Sequence, residues 1–280
     1  MAIDNRDWYR DATPTRKPPS PWPVTKALII ANVACYVLMF ICREAGWDPI
    51  QGGLGMKPED VIGRFWIWQI VTSMFLHDPY TPFHLLMNML ILWLFGRHVE
   101  QRLGSRTYLR FYFLAGLAAG LAYVVFGFLR MRGTPAVGAS GAIFGILVYF
   151  TMLNPNLVVN LFFILPMRMI WVTTLFVGLD LYYFVFNPGS SGVANSAHLG
   201  GALFGFLYYR YGHRVDRFFT KLEVKASVKA DRKKDDDLDR LQAEVDDLLD
   251  IIREKGMDGL TARQKKFLHE ASLKLGKERP

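Results

Sequence analysis

The sequence predicts an all-α, polytopic membrane protein: a bundle of six transmembrane helices followed by a short helical tail. Several apolar runs are each long enough to cross a bilayer, whose hydrocarbon core of about 30 Å needs about 20 apolar residues in a helix. Charged residues are scarce from residue 24 to residue 211 and dense in the remainder, which contains few aromatic side chains. Because of this contrast, the mean hydropathy of the whole chain, +0.16, conceals a strongly apolar part.

The same contrast divides the chain into three parts. Residues 1–23 carry several prolines and acidic residues such as Asp4 and Asp7 ahead of any apolar run, which indicates a disordered leader and not a cleavable signal peptide. Residues 24–213 contain the apolar runs and form the predicted membrane domain. Residues 214–280 form a charged tail in which apolar positions step by three and four. That period predicts an amphipathic helix, the first arm of a helical hairpin over residues 236–275.

The predicted hairpin has recognisable end signals at its turn. Gly256 suits the C-terminus of the first arm, and Thr261 with Gln264 three residues later forms a capping-box pattern for the second. The alternative is a solvated tail that folds only with a partner. The basic residues that precede the hairpin suit contact with anionic lipid.

The six predicted spans differ in length. They lie at residues 24–42, 83–99, 107–129, 140–153, 168–186 and 195–212. Pro166 should break the apolar stretch before the fifth span, so residues 157–166 are expected at the membrane interface. The loop 43–82 between the first two spans is rich in Trp and Phe, side chains that favour the headgroup layer.

Loop charges predict the orientation of the bundle. Four arginines, Arg97, Arg102, Arg106 and Arg110, lie in the loop after the second span and at the span ends beside it, and both ends of the apolar region are basic. With six spans these segments share one side, so both termini are predicted to be cytoplasmic, in a cell (inner) membrane. Arg130 and Arg132, after the third span, oppose this assignment weakly. The formal charge of +8 comes from residues at the edges of apolar runs, which argues against nucleic-acid binding.

Four polar side chains lie inside predicted spans, where an unpaired polar group is costly and an ionisable one marks function. Ser140 opens the fourth span within a Gly-Ala-Ser-Gly sequence, and His198 lies in the sixth. His84 and Asn88 are four residues apart and therefore share a face of the second span. Taken singly, each has an ordinary explanation: the serine caps a helix, and the others pack or cross-link helices.

Together, the four side chains predict acyl-transfer chemistry. A serine at a helix N-terminus has free backbone N–H groups close to its hydroxyl. His198, on a span whose glycines permit close approach, suits the role of a general base that accepts the serine proton. His84 and Asn88 supply hydrogen-bond donors for an oxyanion. The sequence therefore predicts Ser140 as nucleophile and His198 as base, with no cofactor and no metal.

The motifs that contain these residues resemble those of the rhomboid family of intramembrane serine proteases. The resemblance covers about residues 60–205 and rests on His84-Leu-Leu-Met-Asn88, on the sequence around Ser140, and on Ala-His-Leu-Gly-Gly around His198. It implies a six-helix bundle in the lipid bilayer that hydrolyses peptide bonds in or near transmembrane segments of membrane proteins. It also implies a Ser140–His198 dyad without the acid of a triad. The oxyanion would be held by His84, Asn88 and the Ser140 backbone N–H.

The resemblance further implies supporting roles for five residues around the dyad. They are Gly138, Gly141, Phe144, Asn195 and Gly201. Gly138 would shape the loop before the nucleophile, and Phe144 stands where the family often has a tyrosine stacked on the imidazole. Asn195 matches a frequent polar position at the top of the sixth span. Gly141 and Gly201 each begin a Gly-x-x-x-Gly pattern, which lets helices approach closely.

The sequence departs from the family pattern at two places. Gln69 follows Trp68 where many members carry arginine, and the phenyl ring of Phe144 lacks the phenol hydroxyl. The first change questions any role of the first loop that needs a positive charge. Glu100 and Arg102, after the second span, look like the Glu-x-Arg pair of the family.

Two other functions fit parts of the sequence. A catalytically silent relative that binds membrane proteins would keep the fold, but such relatives commonly lose Ser140 or His198. A transporter could use His84, Asn88 and His198 as a polar path. It would lack the carboxylates that are usual for cation coupling, since only Asp180 lies well inside a span.

Overall fold

The computed structural model describes residues 23–129, 135–161, 164–186 and 195–278, and most of these residues are helical. The helices, in chain order, are α1 Pro23–Glu44, α2 Pro58–Gly63, α3 Gln69–Thr72, α4 Pro82–Ile91, α5 Arg97–Leu103, α6 Ser105–Leu129, α7 Ser140–Leu153, α8 Met169–Phe186, α9 Asn195–Lys255 and α10 Ala262–Glu278. Short π-helical segments lie at Ile50–Leu54 and Leu92–Gly96, and 3-10 turns at Ser73–Phe75 and Met257–Gly259. The predicted leader, Arg130, Arg132 and most of the loop before the sixth span fall outside the described residues.

The chain forms two compact units, Met1–His213 and Arg214–Pro280. Within the described part of the first unit, α1, α6 and α8 are long and apolar enough to cross a membrane, and α7 is a shorter apolar helix. Helical backbone also continues from α4 through the second π-helical segment into α5. The predicted fold class, an all-α membrane bundle, is confirmed.

Helix α7 is the most deeply buried helix of the first unit. Ten of its 14 residues are buried, and it contacts α6 and α8. Apolar side chains cover its whole circumference, which is typical of a helix enclosed on all sides. Helices α1 and α8 instead expose large apolar side chains, such as Ile30 and Phe40 on α1 and Trp171 and Phe186 on α8. Exposed apolar surface of this extent is expected where a protein faces lipid.

A two-stranded antiparallel sheet follows α7 and precedes α8 in the chain. Its strands are β1 Val158–Leu161 and β2 Leu165–Arg168, with Pro166 opposite Asn160. Proline has no backbone N–H and clashes with the preceding helical turn, so it cannot continue a helix. The predicted break at Pro166 is confirmed, and the residues before it form half of a hairpin.

Glu100 fastens the beginning of α1 to α5 and α6. Its side chain is almost fully buried and accepts hydrogen bonds from the backbone N–H groups of Val24 (3.0 Å) and Thr25 (2.8 Å). The hydroxyls of Thr25 and Ser105 each donate at 2.7 Å. A carboxylate is favoured at a helix N-terminus, and each hydrogen bond to a charged acceptor contributes about 1.5–3 kcal/mol.

The long segment between α1 and α4 holds the chain that leads into α7. Met56 and Ala136 exchange two backbone hydrogen bonds, at 3.0 and 2.8 Å, and the N–H of Gly138 donates to the Ser73 carbonyl oxygen at 2.9 Å. The start of α7, where Ser140 lies, is therefore attached to this segment by backbone contacts on two sides.

Gln69 organises the same segment through its neutral amide. The side chain is fully buried, accepts from the Lys57 N–H at 3.0 Å and donates to the Gly53 carbonyl oxygen at 3.2 Å. The indole N–H of Trp68 donates to the same carbonyl at 3.2 Å. These contacts need no positive charge, so glutamine at this position has a structural role of its own.

The second unit contains most of α9, followed by α10. Helix α9 continues from the first unit without a break, so the helix of the tail begins well before residue 236, where it was predicted to start. Residues 213–235 contain neither Gly nor Pro and are rich in good helix formers, which explains the continuity. Gly256, with a φ of +70°, follows the end of α9, and Thr261 and Gln264 form reciprocal capping hydrogen bonds.

Candidate active site

Ser140 is the first residue of α7, and its side chain does not cap the helix. Ala139 occupies the N-cap position, without a side-chain hydrogen bond. The Ser140 hydroxyl oxygen, Oγ, instead lies 2.7 Å from Nε2 of His198. The ordinary explanation of this serine as a helix cap is therefore wrong.

Glycines bring α7 and α9 together at this point. A Cβ atom added to Gly201 would overlap the carbonyl oxygen of Gly141, and one added to Gly205 would overlap that of Gly145. A Cβ on Gly145 would in turn lie 3.0 Å from the Gly201 carbonyl oxygen. The close approach predicted from the two Gly-x-x-x-Gly patterns is confirmed, and it explains how side chains 58 positions apart come within hydrogen-bond distance.

The imidazole of His198 is buried and stacked on the ring of Phe144. The two ring centroids are 4.3 Å apart and the planes differ by 7°. Phe144 lies one turn after Ser140 on α7, so a single helix presents both the hydroxyl and the stacking ring. This contact fixes the plane of the imidazole.

The imidazole also has a carboxylate partner, Asp180 on α8. Both carboxylate oxygens lie 3.1 Å from Nδ1 of His198, and the side-chain amide of Asn195 donates to Oδ1 at 2.6 Å. The family resemblance implied a dyad without an acid, whereas the structure places a carboxylate within hydrogen-bond distance of the imidazole. Asp180 and His198 are 18 residues apart on different helices, so no local pattern reveals the contact. The available signal was a carboxylate placed deep in an apolar span.

Gly138 and His84 lie beside Ser140. Gly138 has a φ of +124°, in the region that side-chain-bearing residues rarely adopt. A Cβ atom at this position would lie 3.0 Å from Cε1 of His84 and 3.6 Å from the Ser140 Oγ. The absence of a side chain at Gly138 therefore leaves space between the His84 ring and the serine hydroxyl.

Asn88 is buried one turn beyond His84, and its amide nitrogen lies 2.9 Å from Nε2 of His77. His77, in the segment that precedes α4, is fully buried and was not singled out from the sequence. Its burial, followed by the proximity of His84, lowers the pKa of His77 to about 4. Neutral His77 accepts one N–H of the Asn88 amide, which leaves the second N–H for another acceptor.

An apolar cleft of about 1250 Å³ is lined by α4, α5, α7, β1 and α8. Phe83, the neighbour of His84, lines the cleft, and so does Phe176 on α8. Phe176 also lines a cavity of about 260 Å³ that is bordered by Asp180 and His198. The cleft and the cavity beside the imidazole therefore share one aromatic side chain in their walls.

The geometry suits nucleophilic chemistry. A hydroxyl in contact with an imidazole can give up its proton as it attacks, and the N-terminus of α7 offers backbone N–H groups to an anion. In the described ranges, no group of three or more His, Cys, Asp or Glu side chains is placed to hold a metal ion.

Comparisons with known proteins cover the same region of the chain. The family model of the rhomboid domain matches residues 64–215. The chain is 30% identical over 186 residues to the rhomboid protease GluP of Bacillus subtilis, a match that covers 62% of this chain and 32% of that protein. It is 32% identical over 195 residues to the mitochondrial rhomboid protein 1 of Saccharomyces cerevisiae, covering 68% of this chain and 54% of that protein.

A third relative is the mitochondrial presenilin-associated rhomboid-like protein A of Danio rerio, 31% identical over 148 residues. That match covers 52% of this chain and 38% of the relative. The chain thus spans between about a third and a half of the length of these relatives. The region matched by the family model is more than half of the chain and contains Ser140, His198, His84 and Asn88. A multi-pass membrane bundle with this match is a member of the rhomboid family, and the chain belongs to it.

Proposed function

We propose that the protein is an intramembrane serine endopeptidase that hydrolyses peptide bonds in or near transmembrane segments of membrane proteins. The observation that supports this most directly is the 2.7 Å distance between the Ser140 Oγ and the His198 Nε2 inside a membrane bundle. The name of the GluP relative, a rhomboid protease, agrees with the assignment.

In the first step, the Ser140 Oγ attacks the carbonyl carbon of the scissile peptide, and its proton passes to His198 Nε2. Negative charge develops on the carbonyl oxygen. The backbone N–H of Ser140, in the first turn of α7, has no partner within the helix and can donate to this oxygen. His84 and the second N–H of Asn88 are the other proposed donors.

In the second step, the protonated His198 donates its proton to the leaving amine, and the peptide bond breaks to give an acyl-serine. Water then attacks the acyl carbon while His198 Nε2 takes a proton from the water. Return of that proton to Ser140 releases the carboxylic product and restores the enzyme.

The substrate must expose a peptide carbonyl that a transmembrane helix normally keeps in its own hydrogen bonds. We therefore propose that a transmembrane segment lies against the apolar cleft and unwinds as it passes Phe176 towards Ser140. The cleft offers apolar surface for the helical part, and the polar side chains around His198 receive the unwound part.

For orientation, we propose that both termini face the cytoplasm in a cell membrane. The exposed Arg102 and Arg106, between α4 and α6, would then lie on the cytoplasmic side. A Gln101→Cys variant, with Cys35 and Cys42 replaced by serine, should resist an impermeant maleimide in intact cells and react after lysis. Rapid labelling in intact cells would refute this orientation.

The function is tested with a fluorophosphonate probe and a reporter protein that contains one transmembrane segment. The wild type should react covalently with the probe and cleave the reporter, and Ser140→Ala and His198→Ala should do neither. Ser227→Ala, an exposed serine of the tail, is the matched control and should behave as the wild type. A silent relative or a transporter would leave reporter and probe unchanged in every variant, which would refute the proposal.

A further inference from the structure

We propose that Asp180 is a positioning residue whose carboxylate selects the tautomer of His198 that can accept the Ser140 proton. The active site would then be a Ser–His–Asp triad built on three helices, α7, α9 and α8. This inference rests on the proposed protease function and adds a requirement to it.

The three side chains form an uninterrupted hydrogen-bonded chain. Nε2 of His198 lies 2.7 Å from the Ser140 Oγ, and Nδ1, on the other side of the ring, lies 3.1 Å from both oxygens of Asp180. An ionised carboxylate can only accept hydrogen bonds, so the ring must carry its hydrogen on Nδ1. Nε2 is then left with a lone pair directed at the serine hydroxyl. The opposite tautomer would present an N–H to the serine and could not act as a base.

The surroundings of Asp180 supply hydrogen-bond donors to its carboxylate. The carboxyl group is buried, and the Asn195 amide donates to Oδ1 at 2.6 Å. Asn195 is the first residue of α9, so the carboxylate lies beside a helix N-terminus, which favours negative charge. The titratable side chains close to this pair are His84, which interacts electrostatically with His198, and Tyr183, which lines the same cavity. As the proton moves from Ser140 to Nε2, the charge that forms on the imidazole faces the carboxylate, and Asp180 itself takes no proton.

Stacking on Phe144 cannot select the tautomer of His198. A parallel phenyl ring fixes the plane of the imidazole, but the plane is the same for both tautomers. The ring plane is also unchanged when the imidazole rotates by 180° about its bond to the rest of the side chain, although this rotation exchanges the ring edges that face Ser140 and α8. Asp180 distinguishes these arrangements because only one of them directs an N–H at the carboxylate.

The alternative is that Asp180 only ties α8 to α9. Helix α8 carries a second buried polar contact of that kind, between the hydroxyls of Thr173 and Thr151, at 2.6 Å. Thr173 lies two turns from Asp180, links α8 to α7, and has no contact with His198. A Thr173→Val variant therefore serves as a control. It removes a hydrogen bond between α8 and a neighbouring helix, and so measures the effect of that loss alone on stability and activity.

The experiment compares Asp180→Asn with Thr173→Val. Asparagine keeps the size of the side chain, but its amide can donate to Nδ1 and so select the tautomer with hydrogen on Nε2. Asp180→Asn should lower kcat at least about a hundredfold with KM changed less than about twofold, as expected for loss of a group that acts only in the chemical step. Thr173→Val should lower the unfolding temperature while kcat stays within about twofold of the wild type.

The tautomer is measured directly by nitrogen NMR of protein with labelled histidine. The chain has six histidines, so the His198 signals are assigned as those missing from a His198→Gln variant. We expect a protonated Nδ1 in the wild type and a protonated Nε2 in Asp180→Asn. Asp180→Glu, which restores a carboxylate, should return the hydrogen to Nδ1 and recover part of kcat. If the asparagine variant does not fold, Asp180→Ala takes its place and should show a mixture of both tautomers.

A kcat of Asp180→Asn within about threefold of the wild type, or a protonated Nδ1 in both proteins, would overturn the proposal. The NMR measurement needs no substrate, so it tests Asp180 even if no reporter is cleaved. Failure of the wild type to react with the fluorophosphonate probe would instead refute the protease function, whatever tautomer His198 adopts.

Discussion

Replacing Gly201 with alanine tests whether the packing of α7 on α9 sets the distance between the Ser140 hydroxyl and the His198 imidazole. A Cβ atom at this position would overlap the carbonyl oxygen of Gly141 and lie 2.8 Å from its carbonyl carbon. Ordinary van der Waals contact begins at 3.4 Å. The two helices must therefore separate locally by at least about 0.6 Å, because backbone atoms on both sides leave no flexible side chain that could move aside.

This separation reaches the active site because His198 lies about one helical turn before Gly201. The hydrogen bond from Ser140 would lengthen from 2.7 Å to at least about 3.3 Å, beyond the usual range for a hydroxyl donor. A misplacement of about 1 Å can cost about a hundredfold in rate, so we expect the rate at which Ser140 reacts with an electrophilic probe to fall between about tenfold and a hundredfold. Overpacking should also lower the free energy of unfolding by about 1–3 kcal/mol.

The assay is the rate at which the fluorophosphonate probe labels Ser140 in proteoliposomes, with unfolding followed on the same preparation. Gly178→Ala, on α8, is the control because a Cβ there meets no atom within 4 Å. It should keep the wild-type labelling rate and gain about 0.5–1 kcal/mol from improved helix propensity. Labelling of Gly201→Ala within about twofold of the wild type would refute the argument that helix packing sets the catalytic distance.

Three further predictions concern the neighbours of the site and the anchor of α1. Gly138→Ala should reduce reporter cleavage about a hundredfold, because its Cβ would fill the space beside His84 and the backbone φ of +124° would become strained. Glu100→Gln should lower the free energy of unfolding by about 2–4 kcal/mol, because an amide cannot accept all the hydrogen bonds that Thr25 and its neighbours donate. Thermal unfolding should show the loss of stability, and the protein that remains folded should keep the wild-type kcat. The pKa of His77, lowered by burial to about 4, implies stability that is complete above about pH 6.5 and is lost as the pH falls towards 4, by about 3 kcal/mol in total. Unfolding temperatures between pH 7 and pH 4.5 should show this loss, and His77→Gln should show a smaller one.

The fold class and the Ser140–His198 contact could be anticipated because both depend on local patterns. Long apolar runs predict membrane-spanning helices, and Gly-x-x-x-Gly predicts a helix surface against which a second helix can pack closely. Pro166 likewise predicts a helix break, because the missing backbone N–H removes a helical hydrogen bond wherever a proline occurs.

The contacts that sequence reasoning missed join distant parts of the chain. Asp180 reaches His198 only after α8 and α9 pack, and His77 reaches Asn88 from the segment before α4. No spacing rule connects such pairs. In the tail, the amphipathic period begins near residue 236, but helix propensity alone extends α9 upstream, because residues 213–235 contain no residue that would stop it.

Under the proposed function, the attachment of the α7 start to the segment between α1 and α4 would make catalysis depend on the thickness of the surrounding bilayer. That segment exposes Trp47, Phe65 and Trp68, aromatic side chains that settle at the depth of the lipid headgroups. The backbone hydrogen bonds at Met56 and Ser73 connect this segment to the chain that leads into Ser140. A thinner or thicker membrane displaces the aromatic side chains relative to the bundle. The rate of substrate cleavage should therefore change with the acyl length of the lipid. It should be highest at the thickness that places the aromatic side chains in the headgroup layer and the apolar helices in the hydrocarbon core.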